Sequence, residues 1–268
     1  MKNLFILFLF IIPMSLIAQE IHVTQTTKLE IGHPAYFPSF GNNKDILLIS
    51  SPNYKGLTVF NISDNSEIFI TDALGAGNQP VMESSGKITY HGIKFHRGRK
   101  QRVEMNFKTD FQSVNKVNIE NNIQVKVDGK QLKIYRNNQL KSTIQPLGNY
   151  YYLWASVSPN QEQLLFTVVG KGTFVSDLQG NSIQEIGYLN APQWLNNQWV
   201  VGMNDKDDGE QILSSTIEAV YVKTLKRTTL TEATEVVALY PRISPTSDRL
   251  VFHTPVGEIY TLEFTIND

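Results

Sequence analysis

The chain has 268 residues, no cysteine and a formal net charge of −1. Without cysteine there are no disulfides, no thiolate metal sites and no lipid anchor carried on a cysteine. The near-neutral charge offers no basic excess to grip phosphates, so a nucleic-acid partner is not expected.

In chain order, residues 1–18 read "MKNLFILFLFIIPMSLIA". One lysine, an apolar run and a small-residue end are the layout of a secretory signal peptide. The uninterrupted apolar part, residues 4–12, is short for a membrane span. Cleavage is expected after Ala18, although Leu16 at the third position before the cut is larger than usual. That leaves residues 19–268 as one exported domain, in a periplasm or outside the cell. A monomer is expected.

The mature chain is built from a repeat. "AYFPSFGNNKDILLIS" (residues 35–50) and "ALYPRISPTSDRLVFHT" (residues 238–254) share an aromatic–Pro pair, a polar turn and a β-branched apolar run. "GNQPVMESSGKITYHG", "YLWASVSPNQEQLLFTV" and "LNAPQWLNNQWVVGM" repeat the scheme. The anchors are Pro38, Pro80, Ala155, Pro192 and Pro241. The double gap after Pro80 is filled by "NIQVKVDGKQLKIYRN", anchored near Ile123. Six units of roughly forty residues result, each reading as short strands with turn residues between them. No sustained helical period appears.

This predicts an all-β, six-bladed propeller with four-stranded blades. The last unit supplies three strands, and "EIHVTQTTKLEI" at the mature N-terminus supplies one orphan strand. The orphan is expected to complete the last blade and close the ring. The third unit is short for a full fourth strand.

The pattern resembles the six-bladed TolB-like propellers, whose repeat runs aromatic–Pro, Ser-Pro-Asp-Gly-Lys, then a β-run. "VSPNQEQLLF", "ISPTSDRLVF" and "ESSGKITY" carry that likeness, and "GTFVSDLQGN" looks like the family's third strand and following turn. The extra α/β domain of TolB and the hydrolase domain of prolyl-oligopeptidase-type enzymes have no counterpart. The resemblance implies a free-standing propeller of the protein-interaction kind.

Within such a blade, strands A to D alternate in direction. The A–B turns ("GNNK", "ESSG", "VDG", "PNQE", "LNN", "PTSD") are short and ordinary. The opposite face carries the longer B–C loops and D–A connections, and loops on a rigid scaffold are where function concentrates. Two B–C loops there contrast in charge. Blade 2 offers Lys94, Arg97, Arg99, Lys100 and Arg102; blade 5 offers Asp205, Asp207, Asp208 and Glu210. Blades 2 and 5 are opposite in a six-blade ring, so the face is expected to be electrically polar and to orient a partner. Tyr150, Tyr151 and Trp194 are expected to lie nearest those loops and to be available for stacking.

Chemistry is harder to place. In "MNDKDDGEQ", putting Gly209 sixth in a calcium loop leaves Lys206 at a ligand position and Ser215 where the closing acid belongs. The template fails, and an Asp-Gly hairpin turn is expected; an irregular calcium site is the lesser alternative. Adjacent Asp207 and Asp208 on an exposed turn point different ways, so no catalytic carboxylate pair is expected. His33, His91 and His253 fall near one rim, but packing or surface roles are expected for them. No nucleophile elbow or phosphate loop is present. The expectation is a non-enzymatic module that takes a protein or peptide partner and needs no cofactor. The alternative is a carbohydrate- or small-ligand-binding propeller, a metal-dependent lyase or hydrolase among its forms.

Overall fold

The computed structural model describes residues 19–111, 122–232 and 236–267; residues 1–18, where the signal peptide is expected, lie outside the described residues. The chain is an all-β ring of six antiparallel sheets, a six-bladed propeller. Blade 1 is β2 (Tyr36–Phe40), β3 (Ile46–Ser51), β4 (Lys55–Asn61) and β5 (Ser66–Thr71). Blade 2 is β6 (Val81–Met82), β7 (Lys87–His96) and β8 (Arg99–Lys108). Blade 3 is β9 (Ile123–Asp128), β10 (Gln131–Arg136) and β11 (Gln139–Ile144). Blade 4 is β12 (Tyr152–Val157), β13 (Gln163–Val168), β14 (Gly172–Asp177) and β15 (Gln184–Gly187). Blade 5 is β16 (Asn190–Trp194), β17 (Trp199–Asp207), β18 (Ile212–Tyr221) and β19 (Arg227–Thr229). Blade 6 is β20 (Leu239–Ile243), β21 (Arg249–His253) and β22 (Ile259–Asn267), with β1 (Glu20–Lys28) as its outer strand.

The N-terminal strand closes the ring as expected. β1 runs antiparallel to β22 from Glu20 opposite Asn267 to Lys28 opposite Tyr260. Its one buried side chain is Ile21, which enters the core between blades 5 and 6 beside Leu262 and Phe264.

The apolar run of each strand B has a packing cause. A blade inside the ring is covered on both faces, so alternate side chains serve two different interfaces. In β3, Ile46 and Leu48 pack toward blade 2, while Leu47 and Ile49 pack toward blade 6. In β17, Trp199 and Val201 face blade 6 and Val200 faces blade 4. β13 and β21 divide in the same way. Each such side chain, fully withdrawn from water, contributes about 1.5–3 kcal/mol. Outer strands have one solvated face and read accordingly: β11 is exposed along nearly its whole length.

The repeated polar motif is the A–B turn. In blade 4, the Ser158 hydroxyl accepts the Gln163 amide at 2.9 Å, and the Ser158 amide donates to the Gln163 carbonyl at 2.9 Å. Ser244 and Arg249 repeat this in blade 6 at 3.3 and 2.8 Å. Asn43 and Asn196 take the hydroxyl's place in blades 1 and 5, each accepting the amide of the following strand's first residue and that of the residue before it.

Blade 3 corrects the sequence expectation. Gly129, in the "VDG" turn, accepts the Tyr152 amide at 3.0 Å, at the start of blade 4's strand A. Ile123, at the other end of β9, donates its amide to Gln161 in the A–B turn of blade 4 at 2.6 Å. β9 therefore runs opposite to β12 and is strand B, so "VDG" is a B–C turn on the loop-rich face. The described part of blade 3 is B, C and D, and that of blade 2 is A, B and C. Residues 112–121 between them lie outside the described residues.

Candidate functional site at the channel mouth

Three innermost strands carry the same irregularity. Tyr36 pairs with Ser50, but the next pair is Ser39 with Leu48. Asn190 with Met203 is followed by Gln193 with Val201, and Leu239 with His253 by Arg242 with Val251. Strand A advances three residues while its partner advances two, which is a β-bulge. The bulge falls on the X–Pro anchor of the repeat. The residue before proline has left-handed backbone: Phe37 at φ 51°, Ala191 at φ 47° and Tyr240 at φ 51°. Proline brings no amide hydrogen, so it fits where ladder bonding is interrupted. Proline also disfavours the right-handed helical region for the residue before it. Left-handed backbone at an aromatic residue costs on the order of 1–3 kcal/mol and persists only where the surroundings enforce it.

Two of the three bulges, at Phe37 and Tyr240, put an aromatic ring on the wall of one cavity. Phe37 stacks on Tyr54 at 3.9 Å between centroids, and Tyr240 lies 5.5 Å from Phe37. Tyr54 ends a one-turn 3-10 segment, Pro52–Tyr54, in which Asn53 and Tyr54 are both left-handed. With Gly77, Asn78 and Gln79 of the connection to blade 2, and with Arg242, these rings enclose a cavity of about 300 Å³. That is the lower end of the range of roughly 300–1,000 Å³ for small-ligand sites. The cavity opens among the B–C loop of blade 1 and a D–A connection, on the loop-rich face.

Arg242 sets the electrostatics. Its side chain remains accessible to solvent, yet protein surrounds it closely enough that desolvation lowers its pKa. Both facts fit a group whose water is confined to a channel. Among the described residues it has no hydrogen-bond or ion-pair partner, and the Tyr54 phenol is the group that raises its pKa. Burial raises the Tyr54 pKa too, with Tyr240 adding to it, so the wall is a neutral phenol above a cation.

None of the site residues expected from sequence lines this cavity. The basic hairpin of blade 2 turns at Arg97 and Gly98, both at positive φ (47° and 74°), the two-residue turn that suits the twist of a hairpin. Arg97, Arg99 and Lys100 are exposed there. The acidic hairpin of blade 5 is an Asx turn: Asp207 accepts the Gly209 amide, and Asp208 accepts those of Glu210 and Gln211, all at 2.9 Å. Asp207, Asp208 and Glu210 are exposed, whereas Asp205 is buried against the Tyr188 hydroxyl at 3.1 Å. That contact and burial push the Tyr188 pKa up to about 12, burial being the larger cause. Asp205 is therefore part of the blade 4–blade 5 join, not of the open acidic rim.

Tyr150 and Tyr151 are exposed, and each ring already carries a cation, Lys171 at 5.1 Å and Lys130 at 4.9 Å. Trp194 requires a correction. It ends β16 on the A–B turn side and is 9% exposed, packed with Leu165, Val175 and Val200. The large apolar surface of the indole is worth more in that interface than at a wet rim.

The histidines have separate partners. His33 bonds Glu67 at 2.9 Å, which raises its pKa; His91 faces Glu104 across the β7–β8 ladder at 3.9 Å; His253 is buried among aromatic rings. Among the described residues no group of three or more His, Asp or Glu is placed to hold a metal ion.

Sequence inspection missed Phe37, Tyr54, Tyr240 and Arg242. The available signal was positional. Arg242 follows the anchoring proline on strand A, where the three other proline-anchored blades have Ser39, Val81 and Gln193.

No family model matches the chain, and no curated protein matches it. Solved structures do. The β-propeller domain of Cps50 (Swd1) from Myceliophteria thermophila aligns with a TM-score of 0.53 over 92% of this chain and 100% of that one, at 7% identity. At that identity the likeness is one of fold. The chain is a β-propeller.

Proposed function

We propose that this chain is an exported, TolB-like interaction module that holds a protein or peptide partner at the channel mouth of its loop-rich face. The observation that carries this reading is the concentration of strained aromatic residues at that mouth, Phe37, Tyr54 and Tyr240, on a ring that also carries two exposed hairpins of opposite charge. Backbone strain collects where a scaffold holds side chains ready for a ligand. Charge of opposite sign on the two rims favours one orientation of an approaching partner. The rigid ring supplies the mounting, and the propeller fold is one commonly used for protein interaction. Export rests on residues 1–18, and the bacterial envelope is the setting that the TolB-like repeat suggests. The module acts without catalysis of its own and as a monomer.

The test is capture from an envelope fraction of the producing cell. Bait proteins would be the wild type, D207K/D208K and R97E/R99E. A partner retained by wild type and released by either reversal supports the proposal. Equal capture by all three overturns it. Mass spectrometry of the exported protein's N-terminus checks the expected start at Gln19.

A further inference from the structure

The cavity at the channel mouth contains a cation without a counter-charge. Arg242 lines it together with Tyr240 and Tyr54, and no carboxylate among the described residues reaches it. Arg227, which binds Glu218, and Arg249, which binds Asp45 and Glu263, lie outside this cavity. A guanidinium presents its donors in a planar fork that matches a carboxylate bidentately. In a channel with confined water such a pair is screened less than at an open surface.

Three aromatic rings form the apolar part of the wall. Phe37 and Tyr54 are already stacked on each other, with Tyr240 beside them, so a ligand in the cavity meets ring faces and edges as well as the guanidinium. Asn78 and Gln79 add amide groups at the rim. Gly77 lets the connection pass close to blade 1, since a Cβ there would sit 2.3 Å from the Ser50 Cβ. We propose that this cavity is a binding site for a carboxylate carried beside an aromatic or other flat apolar group. Arg242 takes the carboxylate, and Phe37, Tyr54 and Tyr240 take the ring. The inference deepens the proposed function and rests on it for the view that the group arrives on a partner chain. The site chemistry would be the same for a free aromatic acid.

The test uses calorimetric titration with 3-phenylpropionate, its uncharged isostere 3-phenylpropionamide, and acetate. Phenylpropionate is expected to bind, the amide about tenfold or more weaker, and acetate not measurably. Charged hydrogen bonds of this kind decide affinities by about tenfold to a hundredfold. Arg242→Gln is expected to remove the preference of acid over amide, and Arg242→Lys to restore only part of it. Equal binding of acid and amide by wild type overturns the inference, and that arm needs no variant to fold. A preference for acid that survives in Arg242→Gln also overturns it. Two tetrapeptides ending in Phe, one as free acid and one amidated, distinguish the sources. Free-acid peptide binding above that of phenylpropionate assigns the carboxylate to a chain terminus, whereas no gain assigns it to a small acid. If phenylpropionate binds through Arg242 while no envelope protein is captured, this inference stands and the proposed function falls. If capture depends on the charged hairpins and not on Arg242, the reverse holds.

Discussion

The ring of Tyr240 lies stacked on the imidazole of His253, with 5.6 Å between centroids and 15° between planes. Tyr36 and Phe37 meet the same imidazole edge-on. The wall of the cavity is therefore braced from behind by a histidine that is 2% exposed. Its Nδ1–H donates to the Thr254 carbonyl at 3.0 Å, and its Nε2 is buried without a partner.

Acid should weaken the fold through His253. Burial drives its pKa down to about 4 from an ordinary 6.5. The unfolded chain then binds a proton that the folded chain refuses between those values, so stability is complete above pH 6.5 and is lost as pH falls toward 4. The loss approaches about 3 kcal/mol, from roughly 1.4 kcal/mol per pKa unit. His33 has the opposite sign, since Glu67 raises its pKa, but it is half exposed and its share is small. Melting temperatures of wild type and His253→Phe across pH 4–7 check this. The variant should be much flatter, and parallel curves would refute the assignment.

Ring closure should depend on one side chain of the N-terminal strand. Ile21 is 3% exposed in the blade 5–blade 6 core, whereas Val23 two residues later is 38% exposed. Truncating a buried isoleucine removes its transfer energy and leaves a cavity, about 2–5 kcal/mol together. Ile21→Ala should lower the unfolding free energy from denaturant titration by an amount in that range, and Val23→Ala by under about 1 kcal/mol. Equal effects would mean that β1 is held by its backbone ladder alone.

The join between blades 4 and 5 should fail if one charge is left alone. Glu218 is 8% exposed and accepts from Arg227 Nη1 at 2.5 Å and from Asn204 Nδ2 at 2.6 Å. The other arm of Arg227 donates to the carbonyls of Ile186 and Tyr188. Arg227→Ala strands a buried carboxylate and should cost about 2–4 kcal/mol; it is placed at or below the range for fully buried pairs because Arg227 is a third exposed. Arg227→Met with Glu218→Met should recover much of that loss in denaturant titration. A double variant as weak as the single one would show that the carbonyl contacts dominate.

These elements were not equally legible in advance. Strand B is readable because burial on both faces forces a continuous apolar run, as in Leu47–Leu48–Ile49 and Trp199–Val200–Val201. The closing strand is readable because blade 6 lacks a fourth strand of its own. Blade 3 misleads because "VDG" is sound chemistry for any hairpin turn. Its described strands carry no X–Pro bulge to mark strand A. Charged loops draw attention because like charges cluster along the chain. Arg242 is a single cation after a proline, and its significance comes from Tyr54 and Phe37, which lie about two hundred residues earlier in the chain. No local pattern encodes that meeting.

The acidic turn in blade 5 offers a last test, of whether its carboxylates serve the turn or an ion. Asp208 is fully exposed, yet the backbone amides of Gln211 and Glu210 hold its pKa below the ordinary carboxylate value. The carboxylate therefore steadies the turn above the usual carboxylate range, and this support is lost as pH falls through the depressed value. Amide exchange at Glu210 and Gln211 should be slowed at pH 6, and quickened in Asp208→Ala or on acidification. Lys206 lies within the same loop, and one oxygen of each aspartate is already engaged by its own backbone. Millimolar calcium should therefore leave both the exchange rates and the melting temperature unchanged. Protection that grows with calcium would restore the metal site that the loop's spacing argues against.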